Sequence, residues 1–302
     1  MTRPIRLIQS LSLACSLVTA LSCDNPTGPL FPALDLSLAS ELGAKQVFFE
    51  GEPIYVAFAL SNHGTDTIWT RPFSFGAWDL DGEVTDSTGT PLSKWGIIVD
   101  YIYPRSYRGE PLAPGKRLYG VQLIQDRWGE YRTDMENAYF GHYLPPGQYT
   151  LRMHFAFDVP GRWVSRVVYS DPISFRVRPR QPVEEQSFQR FQALLAMPRD
   201  SLHWAAFGDS VMANAQSRPP DDPILPFITG AWGWATQYWT DSSKRDALVN
   251  VSTAVARVQR ASGAGAYAVL TVNYLRPTAV SSLAEELSGS LAGDVAASLV
   301  DR

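Results

Sequence analysis

The sequence predicts an all-β sandwich followed by a small α-helical C-terminal domain, because the spacing of apolar residues changes once along the chain. Between residues 34 and 178, apolar side chains recur at every second position, as they do in strands with one buried face. Between residues 183 and 302 they recur at every third or fourth position, as they do along amphipathic helices. Turn-forming Gly, Pro, Asn and Asp residues separate the short strand patterns, which is typical of sandwiches.

The clearest strand pattern follows the turn Pro145-Pro146-Gly147. Five apolar or aromatic side chains then fall on one face, namely Tyr149, Leu151, Met153, Phe155 and Phe157. This unbroken alternation predicts a central strand of the sandwich. Tyr149 stands two residues after Gly147, which is the placement of a tyrosine corner, where the phenol bonds back to the backbone.

The other strand patterns are short and closely spaced. They lie at residues 34–38, 47–49, 54–60, 67–69, 95–101, 119–123, 163–169 and 173–177, with a further one around Val84. The total is about nine short strands, which favours a sandwich over a closed barrel. Residues 54–60 are apolar in both alternating phases, and this predicts a strand that is buried on both sides.

Residues 1–22 have the features of an export signal. Arg3 and Arg6 precede an apolar stretch that is too short for a comfortable membrane span. Ser22 before Cys23 resembles a bacterial lipobox, and this resemblance implies acylation of Cys23, for example with palmitate. Residues 23–33 form a Pro-rich tether, which suits a domain held off a surface. The chain is therefore predicted to be anchored by lipid in the cell membrane or outer membrane. Ordinary secretion to the periplasm or exterior, and an uncleaved anchor, remain alternatives.

Charge and cysteine content exclude several classes of protein. The formal net charge is −4, and loss of Arg3 and Arg6 with the leader would leave 24 basic against 30 acidic residues. A nucleic-acid-binding protein should instead show a basic footprint. The other cysteine, Cys15, lies within the leader, so the mature chain would hold only Cys23. We therefore expect no disulfide framework, no thiolate metal site and no cofactor.

Aromatic and arginine residues crowd the segment before the central strand. Residues 126–141 are predicted to form a long loop whose composition resembles that of binding hot spots. The candidate binding residues in this loop are Trp128, Tyr131, Arg132, Tyr139 and Phe140. The alternative is a structural lid over one open end of the sandwich.

Four short motifs together resemble a known family. They are Glu50-Gly51-Glu52-Pro53-Ile54, Asn62-His63-Gly64, Leu112-Ala113-Pro114-Gly115 and Leu144-Pro145-Pro146-Gly147-Gln148-Tyr149. These turn-plus-strand motifs resemble bacterial immunoglobulin-like domains of the type found in BsuPI proteinase inhibitors. The resemblance implies an all-β immunoglobulin-like sandwich and, more faintly, an inhibitory role.

The C-terminal part is predicted to be helical after the break at residues 179–182. Helical periodicity appears at residues 183–197, 199–215, 242–260, 267–275 and 280–300, giving about five or six helices. The stretch Trp232-Gly233-Trp234 favours a core of this helical region over a carbohydrate-stacking site.

The sequence offers little for catalysis. Phe207-Gly208-Asp209-Ser210-Val211 resembles the block of the GDSL-type esterases in which the Ser is the nucleophile. It lies in a helical pattern, however, and no His follows His203 to serve as its base. The four His residues are too widely spaced to predict a metal site.

These observations predict a non-enzymatic envelope lipoprotein with a binding or scaffolding role. The partner would be an envelope protein or a glycan, and the membrane would be reached through the lipid on Cys23. A proteinase inhibitor is the alternative, and a GDSL-type esterase is a remote one.

Overall fold

The computed structural model describes residues 35–70, 80–93, 110–126, 130–131, 142–158, 165–197, 204–233 and 242–301. The described strands are β1 (Leu36–Glu41), β2 (Val47–Phe49), β3 (Tyr55–Asn62), β4 (Ile68–Thr70), β5 (Leu80–Asp86), β6 (Glu110–Leu112), β7 (Arg117–Leu123), β8 (Glu130–Tyr131), β9 (His142–Tyr143), β10 (Gly147–Asp158), β11 (Ser165–Tyr169) and β12 (Ile173–Arg178). The described α-helices are α1 (Pro182–Leu195), α2 (Trp204–Gln216), α3 (Leu225–Gly233), α4 (Ser242–Val258), α5 (Gly263–Leu275), α6 (Val280–Glu286) and α7 (Leu291–Val300).

Most of the described strands form two sheets. The first sheet has the order β1-β3-β7 and is antiparallel. In the second sheet, β10 pairs with β5 along one edge and with β12 and then β11 along the other. Strand β2 joins this sheet in parallel with β12. Two small ribbons, β4-β6 and β8-β9, complete the described strands.

The two sheets pack face to face around one apolar cluster. Val56, Phe58 and Leu60 from β3 meet Leu151 and Phe155 from β10 in this cluster, and all five side chains are buried. Because successive strand residues point to opposite faces, the intervening residues of β3 must point away from the second sheet.

The helices cover that opposite face of the first sheet. Tyr55, Ala57 and Ala59 of β3 belong to a second apolar cluster that also contains residues from each of the seven described helices. Every residue of β3 is buried, so the predicted burial of this strand on both sides is confirmed. The second covering layer is helical, and the described residues therefore form three layers: sheet, sheet and helices.

Main-chain hydrogen bonds join the start of α5 to the connection between β1 and β2. The amide of Gly263, at the start of α5, donates to the carbonyl of Leu42 (3.2 Å), and the amide of Ala44 donates to the carbonyl of Ala261 (2.8 Å). A Cβ atom at Gly263 would collide with the carbonyl oxygen of Tyr55. The approach of the two backbones therefore requires glycine at this position.

The predicted fold class, an all-β immunoglobulin-like sandwich followed by a small α-helical domain, is wrong. Over the described residues the fold is mixed, with more residues in helices than in strands, and the sheets contain only two to five strands. The physical reason is visible in β3, where the second apolar phase is buried by helices. None of the described helices combines the length and apolar character needed to cross a membrane.

The predicted final helix at residues 280–300 is interrupted. It forms α6 and α7, with Gly289 at a φ of 77° between them. Ser290 begins α7 as its N-cap, and its hydroxyl accepts a hydrogen bond from the amide of Gly293 (3.2 Å). A positive φ suits glycine, and a Ser N-cap satisfies a free helix amide, so these two residues set the break.

The tyrosine-corner prediction is confirmed. The phenol of Tyr149 donates to the carbonyl oxygen of Pro145 at 2.6 Å, and its ring stacks on Phe175 at 5.5 Å between centroids. This contact ties the turn before β10 to the strand and to the inter-sheet core.

A buried ion pair connects the first helices. Arg218 donates to Asp222 at 2.7 Å and to the hydroxyl of Ser187 in α1 at 2.6 Å. It also donates to the side chain of Asn214 in α2 and to the main chain of Ser187. Burial lowers the pKa of Arg218, and the carboxylate of Asp222 opposes that shift. Such a fully bonded pair fixes the relative position of the helices, because removing one partner would leave a buried charge.

Candidate functional site

A cleft opens between strand β7 and helix α7. We call it the β7–α7 cleft and define it by six of its lining residues: Lys116, Arg117, Tyr119, Asp294, Ser298 and Asp301. Its volume is about 640 Å³, within the usual range for small-molecule sites. It brings charged side chains of both signs together with the hydroxyl groups of Tyr119 and Ser298.

One wall of the cleft follows from a turn. Pro114 and Gly115 occupy its two central positions, Gly115 has a φ of 72°, and the amide of Lys116 donates to the carbonyl of Ala113 at 3.0 Å. This is the arrangement of a type II turn, which needs φ > 0 at its third residue. The turn places Lys116 and Arg117 at the start of β7, where both remain exposed.

Arg117 is held against the first sheet. Its Nε donates to the hydroxyl of Ser61 at 2.9 Å, and its Nη1 donates to the phenol of Tyr119 at 3.1 Å. The bond to Tyr119 is the largest cause of a raised pKa for Arg117, so the guanidinium stays charged. Within the described part of the chain, Nη2 of Arg117 donates no hydrogen bond, so it can donate to a ligand.

The opposite wall is one face of α7. Asp294, Ser298 and Asp301 are spaced three or four residues apart and therefore share a face. Asp301 accepts from Lys116 across the mouth at 3.1 Å, and both side chains are more than 60% exposed. An exposed pair of this kind contributes roughly 1 kcal/mol or less. A ligand could therefore displace it at little cost.

Ser298 closes the edge of the first sheet. Its hydroxyl accepts from the amide of Tyr119 at 3.2 Å and lies 3.5 Å from the carbonyl oxygen of Arg117. These two backbone groups point away from β3. In an antiparallel pair, only every second residue of β7 forms its main-chain hydrogen bonds with β3, and Arg117 and Tyr119 are the intervening residues. The hydroxyl thus takes the place that an added strand would occupy.

Electrostatics link the cleft to Glu41 at the end of β1. Desolvation is the largest cause of a raised pKa for Glu41, the charge of Asp294 raises it further, and Arg117 opposes both. The charges of Asp294 and Arg117 thus act on Glu41 in opposite directions, and no ion pair within 4 Å joins Glu41 or Asp294 to a described basic residue. The cleft offers cationic donors on its strand side and anionic acceptors on its helix side.

The predicted binding loop falls largely outside the described residues. Trp128, Arg132, Tyr139 and Phe140 are all outside them, as are Cys23 and the tether. Tyr131 lies in β8, where it pairs with His142 of β9. The loop and the lipidation site thus remain predictions.

The esterase-like Ser210 lies on helix α2. Its hydroxyl donates to the carbonyl of Ala206 one turn earlier, at 2.9 Å. The neighbouring Asp209 forms an exposed ion pair with Lys244. A nucleophilic serine needs a base within hydrogen-bond distance, and no described His bonds to Ser210.

The described histidines have separate environments. His63 shares a hydrogen bond with Ser37 at 2.8 Å, and His154 lies 3.9 Å from the carboxylate of Asp81. The described residues contain no group of three or more His, Cys, Asp or Glu side chains placed to hold a metal ion.

Sequence reasoning missed the cleft residues. Arg117 and Asp294 lie far apart in the chain, and only the fold brings them together. One signal was readable, because the acidic residues Asp294 and Asp301 are two helical turns apart, on the same face of an otherwise Ala- and Val-rich segment. That pattern predicts a polar stripe on a helix, although it does not say what faces the stripe.

Comparisons with known proteins give no family. No family model and no curated protein sequence matches the chain. Among solved structures, it is similar to native alpha-2-macroglobulin from Escherichia coli, spanning domain MG7 to the C-terminus, with 11% identity and a TM-score of 0.24. The match covers 89% of this chain and 42% of that one. Such a likeness carries no argument about fold or function.

Proposed function

We propose that this protein is a non-enzymatic lipoprotein of the cell envelope that binds a ligand or partner while anchored through acylated Cys23. The β7–α7 cleft is the observation that carries the binding role. It combines a volume suited to a small ligand with charged groups that still have bonding capacity, and these are the features of a binding site. The leader and the Ser22-Cys23 motif support the anchor.

The anchor is tested with the full chain expressed in a bacterium. We expect membrane-fraction recovery and a mass at the N-terminal peptide that corresponds to acylated Cys23. The variant Cys23→Ser should move the protein to the soluble exported fraction or leave the leader uncleaved. An unmodified Cys23 in the wild-type protein would contradict the anchor.

The binding role is tested by capture from envelope extract on the immobilised full chain. We expect a retained envelope component, whether protein, glycan or lipid, that is lost when Arg117→Met and Asp294→Asn are combined. A second variant, in which residues 132–141 are shortened, reports on the predicted binding loop. Loss of capture in the loop variant alone would place partner binding at the loop and would leave the cleft without a role in it.

Proteinase inhibition is the second candidate, and the resemblance to BsuPI-type inhibitors is its support. An inhibitor should slow a subtilisin-type protease at stoichiometric amounts. Full protease activity across a panel of serine, cysteine and metallo-proteases would dismiss this candidate.

The remote esterase alternative has a direct test. Because the hydroxyl of Ser210 is bonded to its own helix, we expect no reaction with a fluorophosphonate probe. Labelling that disappears in Ser210→Ala would establish a nucleophilic serine and overturn the non-enzymatic proposal.

A further inference from the structure

We propose that the β7–α7 cleft binds a zwitterionic phospholipid headgroup, one that carries a phosphate and a primary ammonium. This inference rests on the proposed lipid anchor, because it uses the position of the tether as well as the chemistry of the cleft. It names the ligand class for a site to which only a general binding role has been given above.

The two walls of the cleft have opposite charge. Lys116 and Arg117 stand on the strand side, and Asp294 and Asp301 stand on the helix side, so the formal charge of these four residues sums to zero. A purely anionic ligand would meet the two aspartates, and a purely cationic ligand would meet Lys116 and Arg117. A ligand with both charges satisfies both walls, which is electrostatic complementarity in its simplest form.

The donors on the strand side suit a phosphate. The planar guanidinium of Arg117 is held in place by Ser61 and Tyr119, and this leaves its Nη2 for phosphate oxygens. Lys116 can supply a second charged donor once it leaves Asp301, and that exposed pair costs little to open. On the other wall, the carboxylate of Asp294 accepts no hydrogen bond from a described side chain and can accept from an ammonium.

The described part of the chain begins close to the cleft. The carbonyl of Asp35, at the start of the described chain, accepts from the amide of His63 at 2.6 Å. The next residue back, Asn62, donates its amide to the carbonyl of Lys116 at 3.1 Å. Neighbouring strands lie about 4.8 Å apart, so Asp35 and the mouth of the cleft are separated by roughly two strand spacings.

The length of the tether then limits the distance from the membrane. A fully extended chain spans at most about 3.3–3.6 Å per residue, so the segment from Cys23 to Asp35 reaches about 40 Å. An acylated Cys23 would keep this end of the molecule, and the cleft with it, within about 40 Å of the headgroup layer. A zwitterionic headgroup is favoured over an anionic one because the chain is acidic overall and two aspartates line the site.

The test titrates glycerophosphoethanolamine, the soluble form of such a headgroup, into the purified full chain in a phosphate-free detergent. Binding is followed by calorimetry and by the phosphorus NMR signal of the ligand. We expect saturable binding, with glycerophosphate and ethanolamine each at least tenfold weaker because each fills only one wall. Glycerophosphocholine should also be at least tenfold weaker, since its quaternary ammonium has no N–H to donate.

Matched variants locate the site. Arg117→Met and Asp294→Asn should each weaken the binding of glycerophosphoethanolamine at least tenfold. Arg257→Met and Glu286→Gln remove the partners of an exposed ion pair outside the cleft and should leave binding unchanged. Asp294 is exposed and its carboxylate has no hydrogen bond from the described residues, so Asp294→Asn keeps the test valid if Arg117→Met fails to fold.

Four results would overturn the proposal. They are no binding of glycerophosphoethanolamine, equal binding of glycerophosphate, unchanged binding by Asp294→Asn, and tighter binding of the zwitterionic peptide trialanine. The mass of the Cys23 peptide is measured on the same preparation. Acylated protein that fails to bind overturns the headgroup site alone, whereas non-acylated protein that binds supports the site and contradicts the anchor.

Discussion

Ser298 shows how one hydroxyl can protect a sheet edge. It satisfies the amide of Tyr119, which would otherwise face the interior between β7 and α7. We expect Ser298→Ala to lower the free energy of unfolding by about 1–2 kcal/mol, because a buried donor loses its partner. Urea denaturation measures this loss. Ser281→Ala, at an exposed position of α6, is the control and should stay within about 0.5 kcal/mol of wild type.

A second prediction for a single residue concerns how the stability contributed by Glu41 depends on pH. Its folded-state pKa is raised, so its contribution to stability is fully present below its unfolded pKa and is lost as pH rises through the folded pKa. Glu41→Gln has no such loss. We therefore expect the stability of Glu41→Gln relative to wild type to increase between about pH 4 and pH 7, as measured by denaturation at a series of pH values.

Glu286 provides a control with the opposite sign. Its hydrogen bond from Arg257 lowers the pKa of Glu286, so its stabilising contribution is present above the unfolded pKa and disappears as pH falls through the folded pKa. Glu286→Gln should thus lose stability relative to wild type as pH rises. A relative stability of Glu41→Gln that is flat with pH would contradict the environment assigned to Glu41.

At the scale of elements, the start of α5 is the tightest junction between helices and strands. A methyl group at Gly263 would overlap the carbonyl of Tyr55 in β3. We expect Gly263→Ala to cost about 1–3 kcal/mol, the usual range for overpacking, despite the better helix propensity of alanine. Thermal unfolding followed by circular dichroism measures the change. Asn273→Ala, later in the same helix, should be neutral or slightly stabilising; equal behaviour of the two variants would contradict the close approach.

Individual elements were largely predictable, and their partners were not. Strand β10 and the buried strand β3 follow from local alternation, which depends only on neighbouring residues. The helices that cover one face of β3 could not be predicted in this way. A face of a strand has the same apolar residues whether a sheet or a helix covers it. The cleft was unpredictable for a similar reason: Arg117 and Ser298 are 181 residues apart. The break before α7 could have been predicted from Gly289 and the N-cap Ser290.

At the scale of the molecule, the helical layer shares its core with the first sheet. The apolar cluster that holds the helices together also buries Tyr55, Ala57, Tyr119 and Val121. The predicted division into residues 34–178 and 183–302 therefore has a direct test. We expect a fragment ending at residue 178 to expose this apolar face and aggregate, because such a patch is an aggregation liability.

The measurement is sedimentation of the fragment beside that of the full chain. The control fragment carries polar replacements at Ala57 and Val121, on the face left bare, and should be more soluble. A monomeric, cooperatively folded fragment without these replacements would show that the strands form an independent domain.

The hydrogen bond between Leu42 and Gly263 joins residues that are synthesised far apart in time. Synthesis proceeds from the N-terminus at about 5–20 residues per second, so roughly 10–40 s separate the appearance of these two partners. During that interval strand β3 exists without the helices that cover one of its faces. The nascent chain must be kept from self-association while its helical part, residues 182–300, is being made. Slowing translation beyond the codons of β12 should therefore reduce the yield of folded protein even when its sequence is unchanged.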